Sequence, residues 1–419
     1  MQTQSALPRE AQAMAEEAPL FKNKVFMLAF LSLILNSLST SVFLLTESWY
    51  IVNYLGKGSS LGIVLMMAAI PRLLLMPIGG VIADRFKKTH IMFLSDASRS
   101  ILLVIMLVAF QMNTLSLAWM ASFALVFGIL DAFYWPASQS LIPTVVSENR
   151  LAQANSVYQV VQQVFYLTGP LIGGLILTFG TYTTLFGTIS IMLLLGGILS
   201  LYLGKFLAKE KEGDAAAPSF KQEMLEGLRY VKGQTFIKIL MLILIVAGFF
   251  LSGPLSVAIP LLVDSVLQGN ALTLSYLEIS VSVGMILGGA VIALTKLRQR
   301  RALISVLSLA LCGICLILLG LTSSFLIMML LLATCGMVLS FSNTFFITLL
   351  QERTSTDKIG RVMSLVTTAT TGLLPLSHAV ISFSMHSGVT ISNLLILFGS
   401  IVAAYCFLLI YCSKSVRTV

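Results

Sequence analysis

The sequence predicts an all-α protein that crosses a lipid membrane twelve times, in two halves of six helices. Of its 419 residues, 57% are hydrophobic and only 10% are charged, whereas a soluble domain carries roughly 25% charged residues. Several apolar runs are longer than about 20 residues, the length that crosses a bilayer as a helix. Lipid is therefore the expected solvent for most of the chain, and a polytopic membrane protein is the expected fold.

Twelve apolar stretches have the length and composition of membrane-spanning helices. Each can cross about 30 Å of hydrocarbon at the rise of about 1.5 Å per residue of an α-helix. Their predicted bounds, in chain order, are 25–52, 60–84, 91–112, 115–137, 152–178, 182–204, 236–263, 272–295, 302–322, 324–349, 361–385 and 391–412. Trp135 falls near the predicted end of the fourth span, where tryptophan commonly anchors a helix at the membrane interface.

The longest connection, between the sixth and seventh spans, divides the chain into its predicted parts. These are a cytoplasmic N-terminal tail over 1–24, a six-helix half over 25–204, a central cytoplasmic loop over 205–235, a second six-helix half over 236–412 and a cytoplasmic tail over 413–419. Within the central loop, apolar residues recur at helical spacing among charges over 220–232, which predicts an amphipathic helix on the inner membrane surface.

The two halves show a trace of internal repetition. Residues 147–156, before the fifth span, and 355–364, before the eleventh, match in their polar, basic, aliphatic and small positions. The offset is 208 residues, from 147 to 355, without a gap. A parallel repeat of two six-helix halves predicts a match at this place.

The basic residues predict the orientation. Of the 26 Lys and Arg residues, 23 fall on the same side of the predicted spans as the 84–88 loop, and only Lys57 falls on the other side. Cytoplasmic segments carry this excess of positive charge. Both termini are therefore expected in the cytoplasm, and the protein in the inner (cytoplasmic) membrane of the cell.

Four charged residues lie inside the predicted spans of the first half, where a charge costs at least about 2.5 kcal/mol. Arg72 lies midway along the second span, Asp96 and Arg99 in the inner part of the third, and Asp131 near the inner end of the fourth. Asp96 and Arg99 are three residues apart and share a helix face. The two aspartates and Arg99 are expected at similar depth.

Asp131 has two interpretations. It is either a protonatable carboxylate that loads and releases a proton as access alternates, or the partner of a permanent salt bridge with Arg99 or Arg72. For Asp96, a local salt bridge with Arg99 is the favoured interpretation. These four residues are the main candidates for proton coupling.

Two further acidic residues lie near the predicted outer ends of spans. Glu47 lies in the first span and Glu278 in the eighth. Each is interpreted either as a buried coupling carboxylate or as a solvated interfacial one. His378, in the eleventh span, is expected to be a hydrogen-bonded packing residue.

The pattern Gly80-x-x-x-Asp84-Arg85-x-x-Lys88, between the second and third spans, resembles the signature loop of the major facilitator superfamily. The resemblance implies twelve spans in two halves. It also implies that Asp84 contacts the second half near the eleventh span, that Arg85 and Lys88 make charge contacts at the inner face, and that these contacts latch the outward-open state. Lys87 departs from the pattern, which usually has glycine there.

Gly169-Pro170-Leu171-Ile172-Gly173-Gly174, in the fifth span, resembles the antiporter motif of drug-exporting members. The motif implies a bend that packs the halves on the outer side, since proline removes a helix hydrogen bond and glycine permits close backbone approach. The match is partial, because Phe165 stands where the motif has an earlier glycine.

Three further segments are similar to a bacterial exporter branch of the superfamily that includes macrolide and multidrug efflux pumps and siderophore exporters. They read AFYWPASQ over 132–139, NRLAQAN over 149–155 and EGLRYV over 226–231. The resemblance implies export of lipophilic or amphiphilic small molecules by proton antiport with alternating access. A dedicated siderophore or lipid exporter is the alternative.

Other functional classes find little support in the sequence. A membrane-embedded enzyme remains a distant alternative, because the chain has three His and lacks H-E-x-x-H, G-x-S-x-G and phosphate-loop patterns. The five Cys lie in apolar stretches and are expected to be inert. No cofactor, metal or nucleic acid is expected; the expected partners are a small-molecule substrate, protons and the lipid bilayer, and the expected state is a monomer.

Overall fold

A computed structural model describes residues 20–207, 229, 231–295, 300–355 and 358–412, and within these residues the chain is helical, without a strand. The α-helices are α1 (Lys24–Trp49), α2 (Leu61–Arg85), α3 (Lys88–Gln111), α4 (Leu117–Val145), α5 (Leu151–Phe179), α6 (Tyr182–Leu203), α7 (Thr235–Ala247), α8 (Gly253–Ser265), α9 (Ala271–Thr295), α10 (Arg301–Leu321), α11 (Phe325–Arg353), α12 (Ile359–Gly372), α13 (Leu374–His386) and α14 (Ile391–Cys412). A π-helical turn, Tyr50–Tyr54, extends α1, and another, Gly248–Ser252, joins α7 to α8.

Eleven helices of the described chain are long and apolar enough to cross a membrane. They coincide with eleven of the twelve predicted spans. The predicted span 361–385 is occupied instead by two helices, α12 and α13, which meet at Leu373. Pro375 lies in the first turn of α13, where its missing N–H costs no helical bond. The amphipathic helix predicted over 220–232 lies largely outside the described residues.

The sequence-based prediction places the end of the fourth span too early in the chain. The span was expected to end at 137, but α4 continues to Val145 through Pro136 and Pro143. Pro136 leaves the carbonyl of Ala132 without a helical donor, and Gly79 of α2 packs its backbone directly against that carbonyl. The neighbouring helix therefore packs at the place of the lost bond.

The described chain forms two compact units. The first contains the described residues up to Glu47 and those from Met67 to 207. The second contains Ser48–Met66 and the described residues from 229 onward. The C-terminal end of α1, its π turn and the start of α2 are thus packed in the second unit: Ile63 N, for example, donates to Ser382 Oγ at 3.1 Å.

Glycines let pairs of helices approach closely in each unit. Gly128 of α4 packs against the carbonyl of Ala68 in α2, and Gly336 of α11 packs against the carbonyl of Val281 in α9. A methyl group at either glycine would collide with that carbonyl. Gly128 and Gly336 are 208 residues apart, the offset found in the sequence, whereas their partners Ala68 and Val281 are 213 residues apart.

The antiporter-like segment of α5 packs against α1. Gly169 lies against Ser41, and Gly173 faces Leu45. Ser41 Oγ donates to the carbonyl of Tyr166, which has no helical donor because Pro170, four residues on, lacks an N–H. These glycines therefore mediate contact between helices of the first unit. Gly174 is buried beside them.

Candidate functional site

The centre of the site is an ion pair within α3. Arg99 Nη2 lies 3.0 Å from Asp96 Oδ1. The two residues are one helical turn apart, so both side chains project from the same face of α3. Their side chains are almost completely buried, with exposed fractions of 2% and 0%. Removal of either partner would leave the other as an unpaired buried charge, which is costly.

Asp131 joins this pair to a second arginine. Arg99 Nη1 lies 3.6 Å from Asp131 Oδ1, and Arg72 Nη1 lies 3.1 Å from Asp131 Oδ2. The four charged residues, from α2, α3 and α4, form one continuous network, which we call the charged quartet. The two arginines and two aspartates, taken as ionised, balance in charge. Asp131 thus contacts both of the arginines that the sequence analysis named as its possible partners, and its role in proton coupling stays a prediction.

The charged quartet runs from the interior of the first unit to its surface. The exposed fraction of the side chain rises from Asp96 and Arg99 to 18% for Asp131 and 46% for Arg72. Asp131 and Arg72 are therefore the less enclosed members of the charged quartet.

Three neutral side chains that the sequence analysis did not assign to the site complete it. Asn36 of α1 donates its Nδ2 to Asp96 Oδ1 at 2.8 Å. The guanidinium carbon of Arg99 lies 4.8 Å from the ring centre of Tyr134, and that of Arg72 lies 5.8 Å from the ring of Trp135. Both rings are within the range of cation–π attraction.

Trp135 differs from the sequence-based interpretation. It was expected to be an interfacial anchor at the end of a span. Because α4 continues ten residues further, to Val145, Trp135 lies inside the helix and next to Arg72. The ring is thus part of the site.

Asp96 also faces α6. A methyl group at Gly197 would come within 3.1 Å of Asp96 Cβ, so glycine at this position permits α6 to lie against the aspartate. Asp96 Oδ2 is buried and has no hydrogen-bond partner among the described residues. Its partners, Asn36 and Arg99, both bind the other carboxylate oxygen, Oδ1.

The remaining acidic candidates do not belong to the charged quartet. Glu47 is 1% exposed, and its Oε1 has no hydrogen-bond partner within the described chain. Glu278, in α9, is partly buried. Neither forms an ion pair with any described residue. His378 is 8% exposed and its Nε2 lies 2.9 Å from Ser256 Oγ, which agrees with a hydrogen-bonded packing residue.

The gating-loop candidates lie at the junction of α2 and α3. Asp84 and Arg85 form the exposed last turn of α2, and Lys88 is the first residue of α3. A side chain at Gly80 would meet open space, whereas one at Gly79 would collide with Ala132. Close packing therefore explains Gly79 and does not explain Gly80. The roles expected for Asp84, Arg85 and Lys88 stay predictions.

Long apolar helices with paired charges between them have the architecture of a polytopic membrane transporter. A family model described as Major Facilitator Superfamily matches residues 29–377. The chain belongs to the major facilitator superfamily, whose members are transporters.

Known proteins that resemble the chain include efflux proteins. Macrolide efflux protein A of Streptococcus pyogenes is 26% identical over 371 residues, which are 85% of this chain and 86% of that protein. Macrolide efflux protein A of Enterococcus faecalis is 27% identical over 312 residues, 72% and 93% of the two chains. The solved structure of the nucleoside transporter NupG superimposes with a TM-score of 0.70 at 14% identity, over 93% of this chain and 99% of NupG. The last similarity concerns the fold alone.

Proposed function

We propose that the protein is a secondary active exporter of lipophilic or amphiphilic small molecules of the macrolide or multidrug type, driven by proton antiport with alternating access. The observation that carries the proposal is the position of Asp131, held between a buried arginine and an exposed one inside the membrane. A carboxylate in such a position marks an ion or proton pathway in membrane proteins.

Protonation of Asp131 provides a physical link between proton binding and helix movement. A proton on Asp131 removes its charge, so the attraction to both Arg72 and Arg99 weakens. These two arginines lie on α2 and α3, while Asp131 lies on α4. Loading or releasing one proton therefore changes the forces among three helices of the first unit.

The other predicted sites fit the same proposal. Asp84, Arg85 and Lys88 would act as a cytoplasmic latch, with both termini on the same side of the membrane. Replacement of Asp84 would then slow the transport cycle more than it weakens substrate binding. Gly169, Pro170, Gly173 and Gly174 would keep α5 close to α1 during the cycle.

The cargo is inferred from the relatives. Two proteins named for macrolide efflux share most of their length with this chain, at 26% and 27% identity. The alternative within transport is a dedicated siderophore or lipid exporter, and a panel of solutes separates the two.

Efflux from proteoliposomes tests the proposal. The full chain is reconstituted with an imposed pH gradient, and transport of a macrolide, a lipophilic dye and a siderophore is compared. Gradient-dependent movement of the macrolide or dye, abolished by a protonophore, is the expected result. Movement of the siderophore alone would favour the alternative. Movement of the macrolide or dye at the same rate with and without the gradient would contradict proton antiport.

A further inference from the structure

Arg72 occupies a position that an incoming cation could take. Among the described residues its guanidinium makes one ion pair, with Asp131, and one ring contact, with Trp135. We propose that Arg72 is a displaceable internal cation, and that Asp131 and Trp135 form the binding site for the protonated amine of a monocationic amphiphile. This inference rests on the proposed export function and names its cargo class.

The charge balance of the site favours a single positive charge. With Arg72 in place, the charged quartet is neutral when its members are ionised. If Arg72 moves away, Arg99 remains with two aspartates, and the site carries one net negative charge. A buried or half-buried site cannot keep such an excess without a large cost. One monovalent cation restores the balance.

Arg72 is the member of the charged quartet that can leave. Its side chain is 46% exposed, whereas that of Arg99 is 2% exposed and is bound to Asp96 as well as Asp131. Displacement of Arg72 breaks one ion pair and one ring contact, whereas displacement of Arg99 breaks two ion pairs. The buried arginine would leave Asp96, which has an exposed fraction of 0%, with Asn36 as its remaining partner.

Trp135 suits an ammonium group as well as it suits a guanidinium. Its ring lies 5.8 Å from the guanidinium carbon of Arg72, and tryptophan is the aromatic side chain that attracts cations best. A protonated amine that replaces Arg72 would therefore keep both a carboxylate and an aromatic face, and its apolar body would extend away from the ion pair.

An anionic cargo does not fit the same site. Binding to Arg72 would draw the guanidinium from Asp131, and the two aspartates would be left with Arg99 alone. The anion would neutralise Arg72 but would add no positive charge near Asp131. The position of Arg72 thus selects against carboxylates and favours amines.

Equilibrium binding to the full chain in nanodiscs, without a gradient, tests the inference separately from transport. The probes are naphthylethylamine, a cation at neutral pH, and its neutral analogue naphthylethanol. In Arg72→Gln the internal competitor is gone, so the amine is expected to bind about fivefold tighter, while the alcohol is unchanged. Arg72→Lys retains a competing cation and is expected to remain within about twofold of the wild type. The double variant Arg72→Gln/Asp131→Asn should lose the gain.

A second variant leaves the ion pairs intact. Trp135→Leu removes only the ring, and amine affinity should fall about threefold with no change for the alcohol. Unchanged or weaker amine binding in Arg72→Gln, or equal changes for both probes, would overturn the inference. If Arg72→Gln does not fold, Trp135→Leu decides the question: an amine affinity equal to that of the wild type would overturn the inference. Both of these negative binding results would refute the amine site without affecting a positive transport assay. Amine binding without transport of any solute would refute the export function and not the amine site.

Discussion

Ser377 Oγ donates a hydrogen bond of 2.6 Å to the backbone carbonyl of Phe249, and so joins α13 to the π turn between α7 and α8. Pro254, five residues after Phe249, has no N–H to offer this carbonyl. Ser377 and Phe249 follow Gly169 and Ser41 by 208 residues each. In both units, therefore, a serine donates to a carbonyl that a proline has left without a helical donor. In the first unit the serine lies on α1 and the carbonyl on α5. In the second unit the serine lies on α13 and the carbonyl in the π turn after α7.

Removal of the Ser377 hydroxyl should destabilise the second unit. Ser377→Ala leaves the part-buried Phe249 carbonyl without its donor, which costs on the order of 1 kcal/mol. Ser280→Ala is the matched control, because that buried serine donates only within its own helix, to Tyr276. Unfolding in detergent micelles, followed by tryptophan fluorescence, compares the two variants. Equal losses in both would contradict the role assigned to Ser377.

Two adjacent glycines should respond differently to the same substitution. Gly79→Ala places a methyl group against the Ala132 carbonyl, and overpacking of this kind costs about 1–3 kcal/mol. Gly80→Ala meets open space and should leave the thermal stability of the purified protein unchanged. A loss of stability in Gly80→Ala as large as in Gly79→Ala would show that the α2–α4 contact has been described wrongly.

The two arginines of the charged quartet should differ in their structural importance. Arg99→Gln leaves the buried Asp96 without its cation and should destabilise the protein by about 3–5 kcal/mol. Arg72→Gln should cost less, because its partner Asp131 keeps its contact with Arg99.

The double variant Asp96→Asn/Arg99→Gln removes both charges of the buried pair. It should recover most of the stability lost in Arg99→Gln, as measured by the same unfolding assay. If the double variant is no more stable than Arg99→Gln, the loss does not come from an unpaired Asp96.

The orientation predicts which loops a membrane-impermeant maleimide can label in intact cells. Lys57 and Lys87 are both exposed, and Cys412 is the exposed cysteine within the described chain, so Cys412→Ser provides the background. Lys57→Cys should be labelled from outside, and Lys87→Cys only after permeabilisation. The reverse pattern would place both termini outside the cell.

Most of the helices, and the proximity of three members of the charged quartet, could be predicted from the sequence alone. Apolar run length is a strong signal in lipid, because every backbone polar group must be satisfied within a helix, and eleven predicted spans coincide with long apolar helices. The spacing of Asp96 and Arg99 placed them on one face, and span depth brought Asp131 to their level. These inferences depend on local periodicity and on the cost of burying charge, both of which a sequence displays.

The rest depends on contacts between helices. The continuation of α4 through Pro136 and Pro143 to Val145 depends on neighbouring helices, such as α2, whose Gly79 packs against the Ala132 carbonyl. The early end predicted for this helix also assigned Trp135 to the membrane interface. Asn36 is a single amide in an apolar helix, and nothing in its surrounding sequence indicates that it faces Asp96. The interruption at Leu373 had a visible signal in the nearby Gly372 and Pro375.

Proton-coupled transport by Asp131→Asn tests the central claim most directly. Asparagine retains the shape of the side chain and has no proton to exchange, so the variant should fold but should lose the acceleration of efflux by a pH gradient in proteoliposomes. Efflux of a neutral lipophilic dye down its own gradient should persist, which shows that the variant still completes the transport cycle; a cationic amine is not used here, because Asp131 is proposed as its counter-ion. Asp131→Glu, which retains a carboxylate, should keep part of the response. Full gradient-driven efflux by Asp131→Asn would remove Asp131 from the coupling mechanism.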